Sequence, residues 1–444
     1  MKKLFLLIGM VVLLATACEK EEMVTPFEPQ EDPLAEVIRI AQEGAAMLGD
    51  AETRSAVGRR IDRSRISCKI NPATRAGESD DTLYYVVNYA DNAGFAIVSA
   101  NEKAPDGARL LAVIEHGEYE AGETTGIGGF DEFVNLLDYE IIGGKDSLAL
   151  DLSHYETVMT ESNWRGVEPY LQVQWGQGGL AEVPQNLFDP DKPYNKYCVK
   201  NGLLCPSGCA AVAIAQIMSY HKTPANYIRT HDESNQNVSL DWNSMASWVG
   251  GMDRDSIWND DDGDAIAHLM REMGYIVNAT YTYDGTSFNS NQVKAVFTHF
   301  GYMTTNMEDY DFLVIRNQLE YYKHPVFVGG QRLVGYDDNG VARYSGHAWV
   351  ADGYKNWHQH YITYKIIPTP RGDIREVFEE SDYYYNYLHY NWGYDGNCNG
   401  YFSEGIFQLN QSANAAGGFD NIDYPNANSR EYSYAVKILV GYPD

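Results

Sequence analysis

The chain has 444 residues, of which 44% are hydrophobic and 13% aromatic, as in folded proteins. It contains 33 Lys and Arg against 62 Asp and Glu, a formal net charge of −29. This charge disfavours nucleic acid and anionic membrane surfaces as partners, because both repel an acidic protein. The length allows two or three domains.

The first 17 residues have the pattern of an export signal. Lys2 and Lys3 precede the apolar run 4–14, which is too short to span a membrane. The run leads into Ala15-Thr16-Ala17-Cys18, which looks like the lipobox of a bacterial lipoprotein signal. The alternative is an ordinary signal peptide cleaved after Ala17. We expect a lipid on Cys18 that holds the exported protein at the outer membrane or cell surface, and a flexible stalk over residues 18–32.

The next part of the chain predicts a small α+β domain over residues 33–165. Hydrophobic periodicity predicts two helices and three strands there, and residues 54–75 are rich in Arg and predict an irregular connector. The helices are expected over residues 33–48 and 130–142, and the strands over 83–89, 94–100 and 110–116. This domain contains no evident chemistry of its own.

Residues 205–221 predict a buried helix, because they are small and apolar nearly all round. Ser207 is a candidate N-cap. Cys209 then lies in the first turn, where unpaired N–H groups and the helix dipole favour a thiolate. The alternative is a structural cysteine, since free cysteines are commonly buried.

Further elements are expected downstream. Helices are predicted over 265–273, 291–300 and 310–322, and strands over 325–330, 347–354, 361–367, 388–393 and 434–442. The acidic run 260–264 resembles half a calcium loop but lacks the distal Glu, so an acidic helix start is expected. Cys198 and Cys205 flank a short loop and have the spacing for a disulfide, which the sequence leaves open. We expect no zinc site, because no Cys-x-x-Cys or close His pair accompanies the cysteines.

Several residues with catalytic chemistry occur in order along the chain: Gln177, Cys209, His347, Asn391 and Trp392. A thiol nucleophile needs a base, donors for the oxyanion and a group that orients the base. A cysteine at the start of a central helix, with a histidine on a strand far downstream, fits papain-like architecture. A lone histidine on an apolar strand is also compatible with a purely structural role.

The motifs around these residues resemble those of the streptopain-type cysteine peptidases, papain-like bacterial enzymes made as zymogens. The similar stretches are Trp175-Gly176-Gln177, Pro193-Tyr194-Asn195, Gly208-Cys209 with 215–221, Gly346-His347-Ala348-Trp349-Val350 with Asp352-Gly353, and Asn391-Trp392-Gly393. Residues 94–105 resemble the propeptide of that family. Two stretches depart from its pattern. Tyr394-Asp395-Gly396 stands where the family has Trp-Gly-Gly, and residues 358–382 look like an insertion.

The resemblance implies an α+β, papain-like peptidase domain over residues 166–444 and an inhibitory propeptide over 33–165. The change in composition at residues 161–166 predicts that the propeptide is removed there. The resemblance also implies that Cys209 is the nucleophile, His347 the general base and then acid, and Gln177 an oxyanion donor. Asn391 would orient His347, and Trp392 would wall the site. The implied substrates are proteins or peptides, with no metal or organic cofactor. Two alternatives are an amidase or transpeptidase acting on cell-wall peptides, and a non-enzymatic surface adhesin.

Overall fold

A computed structural model describes residues 34–48, 59–71, 82–100, 109–143, 155–247, 260–336, 342–367, 372–404 and 435–443. The predicted signal peptide, Cys18 and the stalk therefore lie outside the described residues. Nearly all described residues belong to one unit, Glu36–Asp444. Within these ranges, no helix is both long and apolar enough to cross a membrane.

Seven α-helices occur in the described residues. They are α1 (Ala35–Ala45), α2 (Gly128–Gly143), α3 (Cys209–His221), α4 (Trp242–Ser247), α5 (Asp260–Ile276), α6 (Ser290–His299) and α7 (Phe312–Asn317). Local signals explain several ends. Asn289 and Gln292 form a capping box at α6, and the Asp311 carboxylate accepts N–H bonds at the start of α7. The predicted helices are thus confirmed, although 310–322 is divided into α7 and a π-helical turn over Gln318–Tyr322.

The strands of the described residues number eighteen. They are β1 (Ile61–Ile70), β2 (Thr82–Tyr89), β3 (Phe95–Ser99), β4 (Leu110–Ile114), β5 (Tyr155–Val167), β6 (Val199–Lys200), β7 (Leu203–Leu204), β8 (Asn226–Arg229), β9 (Gln236–Ser239), β10 (Tyr281–Thr282), β11 (Gly285–Thr286), β12 (Tyr302–Thr304), β13 (Glu308–Asp309), β14 (Val326–Tyr336), β15 (Ala342–Ile367), β16 (Ile374–Asn391), β17 (Gly400–Ser403) and β18 (Ala435–Pro443). Strand β1 corrects the expected irregular connector over 54–75.

One large antiparallel sheet organises the fold, in the order β1-β2-β3-β4-β17-β16-β15-β14-β18-β12. Strand β4 pairs with β17, so the sheet runs on from the predicted propeptide into the predicted peptidase domain. Strand β5 pairs with the distal part of β15. The apparent insertion 358–382 is therefore the outer part of a long β15–β16 hairpin, which β5 widens to three strands.

Helix α3 lies at the centre of a second core. Its residues from Ala210 to Ser219 are all buried, and they pack with aliphatic and aromatic side chains from β15, β18 and α5. A separate core cluster joins the predicted propeptide to the predicted peptidase domain, since Phe130 of α2 lies edge-on to Phe402 of β17. The predicted α+β arrangement, a cysteine-bearing helix against an antiparallel sheet, is confirmed.

One local expectation was wrong: Gly208, not Ser207, is the N-cap of α3. The disulfide that the sequence left open is not formed, because Cys198 and Cys205 are free cysteines. They are neighbours across the β6–β7 hairpin, where the Cys205 N–H donates to the Cys198 carbonyl at 2.7 Å.

Candidate active site

The chain around Cys209 brings Gln177 to the start of α3. The Ser207 N–H donates to the Gln177 carbonyl at 2.9 Å, so the backbone of Gln177 lies beside the segment that leads to Cys209. Gly208, between Ser207 and Cys209, has a φ of 104°. A Cβ at this position would lie 2.6 Å from the carbonyl oxygen of Thr286. Both features require glycine immediately before the cysteine.

The Cys209 thiol is partly exposed at the N-terminus of α3. Burial raises the pKa of Cys209 above its ordinary value, and hydrogen bonds from the backbone of Ala348, Ala210 and Cys209 itself lower it in part. These N–H groups are the donors that stabilise a thiolate once a base removes the proton. In the present arrangement the net effect of burial keeps Cys209 protonated at neutral pH.

His347 lies in β15 and is buried, with 7% of its surface exposed. Its Nε2 is 3.0 Å from the Trp392 carbonyl, and because a carbonyl only accepts, Nε2 carries the proton. Burial lowers the pKa of His347 to about 4, with partial compensation from the Trp392 carbonyl. The raised pKa of Cys209 and the lowered pKa of His347 leave both groups neutral here, and no contact between the thiol and the imidazole occurs among the described interactions.

Asn391 is buried, and its side-chain amide is fully engaged. The Nδ2 group donates to the Val173 carbonyl at 2.9 Å. The Oδ1 atom accepts from Gln216 Nε2 and from the Gly393 N–H, each at 3.1 Å. Asn391 thus ties β16 to α3, and the contact with His347 implied by the resemblance is not among those described.

Trp392, which the resemblance places at the wall of the site, lies beside His347. Its indole is fully buried and donates to the Cys398 carbonyl at 2.9 Å. Its ring centroid lies 6.4 Å from that of His347 and 5.1 Å from that of Trp349. The ring is therefore fixed from several sides and offers His347 a rigid neighbour.

The residues after Trp392 add groups that the sequence analysis did not assign. The ring of Tyr394 lies 5.2 Å from His347. The carboxylate of Asp395 pairs with Lys192 at 2.7 Å, and a Cβ on Gly176 would lie 2.4 Å from Asp395 Oδ1. Asp395, which stands where the resembled family has Gly, therefore places a charged pair against the segment that carries Gln177. In the sequence, Asp395 was the only sign of this charged pair, and its partner Lys192 lies about 200 residues away along the chain.

Helix α2, from the predicted propeptide, lies directly against His347 and Trp392. A Cβ on Gly129 would be 2.3 Å from Cζ3 of Trp392 and 3.1 Å from Cδ2 of His347. Only a residue without a side chain fits at this distance. In the sequence, the adjacent glycines Gly128 and Gly129 indicate a close approach of the backbone, but they do not reveal which surface the helix covers.

A buried ionic group joins the same two parts of the chain. His389 in β16 has Nδ1 2.6 Å from Asp352 Oδ1 and Nε2 3.4 Å from Glu115 Oε1. Burial alone would lower the pKa of His389, but Asp352 and then Glu115 raise it to about 10. The imidazolium therefore links Asp352 of β15 to Glu115, which follows β4.

The family model described as "Peptidase C10 family" matches residues 188–402. Streptopain of Streptococcus pyogenes is 25% identical over 391 residues, which cover 80% of this chain and 82% of streptopain. The thiol protease/hemagglutinin PrtT of Porphyromonas gingivalis is 21% identical over 367 residues, 77% of this chain and 36% of PrtT. The solved structure of a Prevotella intermedia prointerpain A fragment is 19% identical, with a TM-score of 0.45, and covers 84% of this chain and 98% of the fragment.

These sequence matches confirm the predicted class, a cysteine-type peptidase. Within that class, the chain is similar to streptopain and, over residues 188–402, to the Peptidase C10 family.

Proposed function

We propose that this chain is an exported, lipid-anchored cysteine endopeptidase, made as a zymogen in which residues 33–165 inhibit residues 166–444. The observation that carries the proposal is the position of Gly129 against His347 and Trp392. A helix of the propeptide then occupies the side of the cleft that holds the base. A preformed thiolate would otherwise cleave proteins of the host cell during export.

The proposed inhibition prevents the transfer of a proton from Cys209 to His347. While α2 is in place, the Nε2–H of His347 is bound to the Trp392 carbonyl and Cys209 retains its proton. Once α2 leaves, His347 gains room to rotate towards Cys209 and accept that proton. Solvent also reaches the imidazole, which reverses the effect of burial on its pKa.

The resulting thiolate–imidazolium pair carries out acyl transfer. Cys209 attacks the peptide carbonyl, while Gln177 and backbone N–H groups at the start of α3 hold the oxyanion. His347 protonates the leaving amine, which breaks the C–N bond and leaves a thioester on Cys209. Water, deprotonated by His347, then releases the acid and restores the thiol.

The propeptide is held by more than α2. Strand β4 pairs with β17, and Glu115 reaches the His389 imidazolium. The region proposed for cleavage, residues 161–166, lies within β5, where Trp164 stacks on Trp357 with ring centroids 4.8 Å apart. We therefore expect β5 to separate from β15 before a protease can bind it, because a paired strand cannot enter an active-site cleft.

The test combines N-terminal sequencing of the mature protein with labelling by a thiol-directed epoxide. The proposal expects a mature form that begins after residue 160, and one labelled residue, Cys209. It also expects the processed form to cleave casein faster than full-length protein. Cleavage of muropeptides with casein left intact would favour the amidase, and labelling elsewhere would remove Cys209 as the nucleophile. Metabolic labelling with a fatty-acid analogue, lost in Cys18→Ser, tests the lipid anchor.

A further inference from the structure

A compact group of metal-binding side chains lies outside the residues assigned to catalysis. His231 follows strand β8, and His268 lies in α5. Their Nε2 and Nδ1 atoms, respectively, are 2.8 Å apart. Asp232 adds a carboxylate oxygen, and one ligand atom from each of the three residues lies within 4.8 Å of the others. No zinc site was expected from the sequence, because no Cys-x-x-Cys or close His pair accompanies the cysteines; these two histidines are 37 positions apart.

The imidazole of His268 is oriented by its neighbours. Its Nε2 is 3.3 Å from Asp264 Oδ2, and its ring stacks on Tyr197 with centroids 3.9 Å apart. The Tyr197 hydroxyl donates to the other oxygen of Asp264 at 2.6 Å. Since Nε2 faces a carboxylate, it carries the proton and the lone pair of Nδ1 points towards His231. A carboxylate behind a histidine is the usual outer shell of a metal-bound imidazole.

A carboxylate also fixes the position of His231, in this case through its backbone. The buried carboxylate of Glu272 accepts the His231 N–H at 3.0 Å and the Thr230 N–H at 3.0 Å. These bonds fix the backbone of the turn that carries the His231 ring, whose centroid lies 5.0 Å from that of His268.

We propose that His231, His268 and Asp232 form a Zn²⁺ site, with water completing the coordination. Two imidazoles and one carboxylate are a ligand set that Zn²⁺ accepts, and three protein ligands leave one open position. Asp232 also pairs with Arg229 at 2.9 Å, so the metal shares this carboxylate and binding is of moderate strength. The bound ion would fasten the turn between β8 and β9 to α5.

The test uses untagged full-length protein that carries Cys209→Ala, because the catalytic thiol would otherwise bind added zinc. Isothermal titration with Zn²⁺ should show one site per chain, and Co²⁺ should give the visible absorption of a four- or five-coordinate ion. Saturating Zn²⁺ should raise Tm by about 1–5 °C, since it binds the folded state. Asp264→Asn should weaken binding by about 10–100-fold.

His268→Gln and His231→Gln, in the same background, should each lose the site while keeping the Tm that the parent has in chelator. The matched control is the double variant His358→Gln with His360→Gln, which removes another histidine pair that faces one carboxylate, Asp382. This control should bind as the parent does. The inference is overturned if the parent binds no stoichiometric Zn²⁺, or if only the control loses it. Neither result affects the peptidase proposal, whose readout is cleavage by the Cys209 protein.

Discussion

The substitution Gly129→Ala tests whether α2 holds His347 out of use. The added Cβ would lie 2.3 Å from Cζ3 and 2.4 Å from Cε3 of Trp392, whereas carbon atoms in contact are about 3.5–4.0 Å apart. Trp392 cannot move away easily, because its ring is fully buried and its indole is bound to Cys398. The helix must therefore move.

Overpacking of this kind costs about 1–3 kcal/mol. Replacing Gly by Ala in a helix returns up to about 1 kcal/mol, and less at the first turn, where Gly129 lies. The net cost of keeping α2 in place is then about 1–2 kcal/mol. This corresponds to an increase of about 5–30-fold in the population in which α2 has left the base.

The assay is the rate at which a thiol-directed epoxide labels Cys209 in unprocessed protein. This reagent reports on the base, because ring opening needs an activated thiolate. We expect Gly129→Ala to be labelled about 5–30-fold faster than the parent. The matched control is Asn135→Ala, an exposed position on the same helix, which should be labelled at the parent rate. Unchanged labelling in a Gly129→Ala protein that is measurably destabilised would refute the reasoning.

Three further outcomes are expected. Gln177→Ala should lower the kcat of the processed enzyme by about 10²–10³-fold with little change in KM, because the donor acts on the developing oxyanion. Steady-state kinetics on a peptide substrate would measure this decrease. An unchanged kcat would mean that Gln177 has only a structural role. Alkylation of Cys209 by iodoacetamide should need a higher pH in the unprocessed protein than after processing, because burial raises the pKa of this thiol. Identical pH profiles before and after processing would contradict the proposed inhibition. Glu115→Gln should lower the free energy of unfolding by about 2 kcal/mol at pH 6, the usual size for a bond to a charged group, since it removes one partner of the His389 imidazolium. Because the pKa of His389 is raised, the difference between parent and Glu115→Gln is complete below about pH 6.5, down to the pH at which Glu115 is itself protonated, and disappears as the pH rises through about 10. Denaturant unfolding at several pH values would measure it.

Elements with a strong local signal were predictable from the sequence. Helix α3 begins at Cys209, as its small apolar run indicates, and α6 carries both its periodicity and its capping residues. The strands β2, β3 and β4 were also recognised, because they are buried on both faces and nearly all apolar. In each case the deciding residues lie within the element itself.

Strand β1 was missed because it lacks such a pattern. None of its residues is fully buried, and its arginines interrupt the alternation of apolar and polar residues that would indicate a strand. Its strand conformation comes from pairing with β2, over Ile61 to Ile70. The pairing of β5 with the outer part of β15 was equally out of reach, since about 200 residues separate partners such as Trp164 and Trp357.

At the candidate site, the sequence indicates which residues are present but not their pairing. Cys209 and Gln177 were expected to be neighbours, and a backbone hydrogen bond through Ser207 brings their segments together. Asn391 was expected to orient His347, yet its amide is bound to Gln216, Val173 and Gly393. An amide side chain offers donors and an acceptor to any partner, so residue type alone does not decide which it meets.

The position of the predicted propeptide indicates which of the two predicted catalytic groups the proposed inhibition affects. Cys209 remains partly exposed, whereas His347 is buried, bound to the Trp392 carbonyl and covered by Gly129. The other attachments, β4 on β17 and Glu115 on His389, also lie on the sheet that carries the base rather than on α3. In the proposed zymogen, the thiol is therefore present but lacks its proton acceptor. Small alkylating reagents should reach it at high pH, while reagents and substrates that need the activated pair should not.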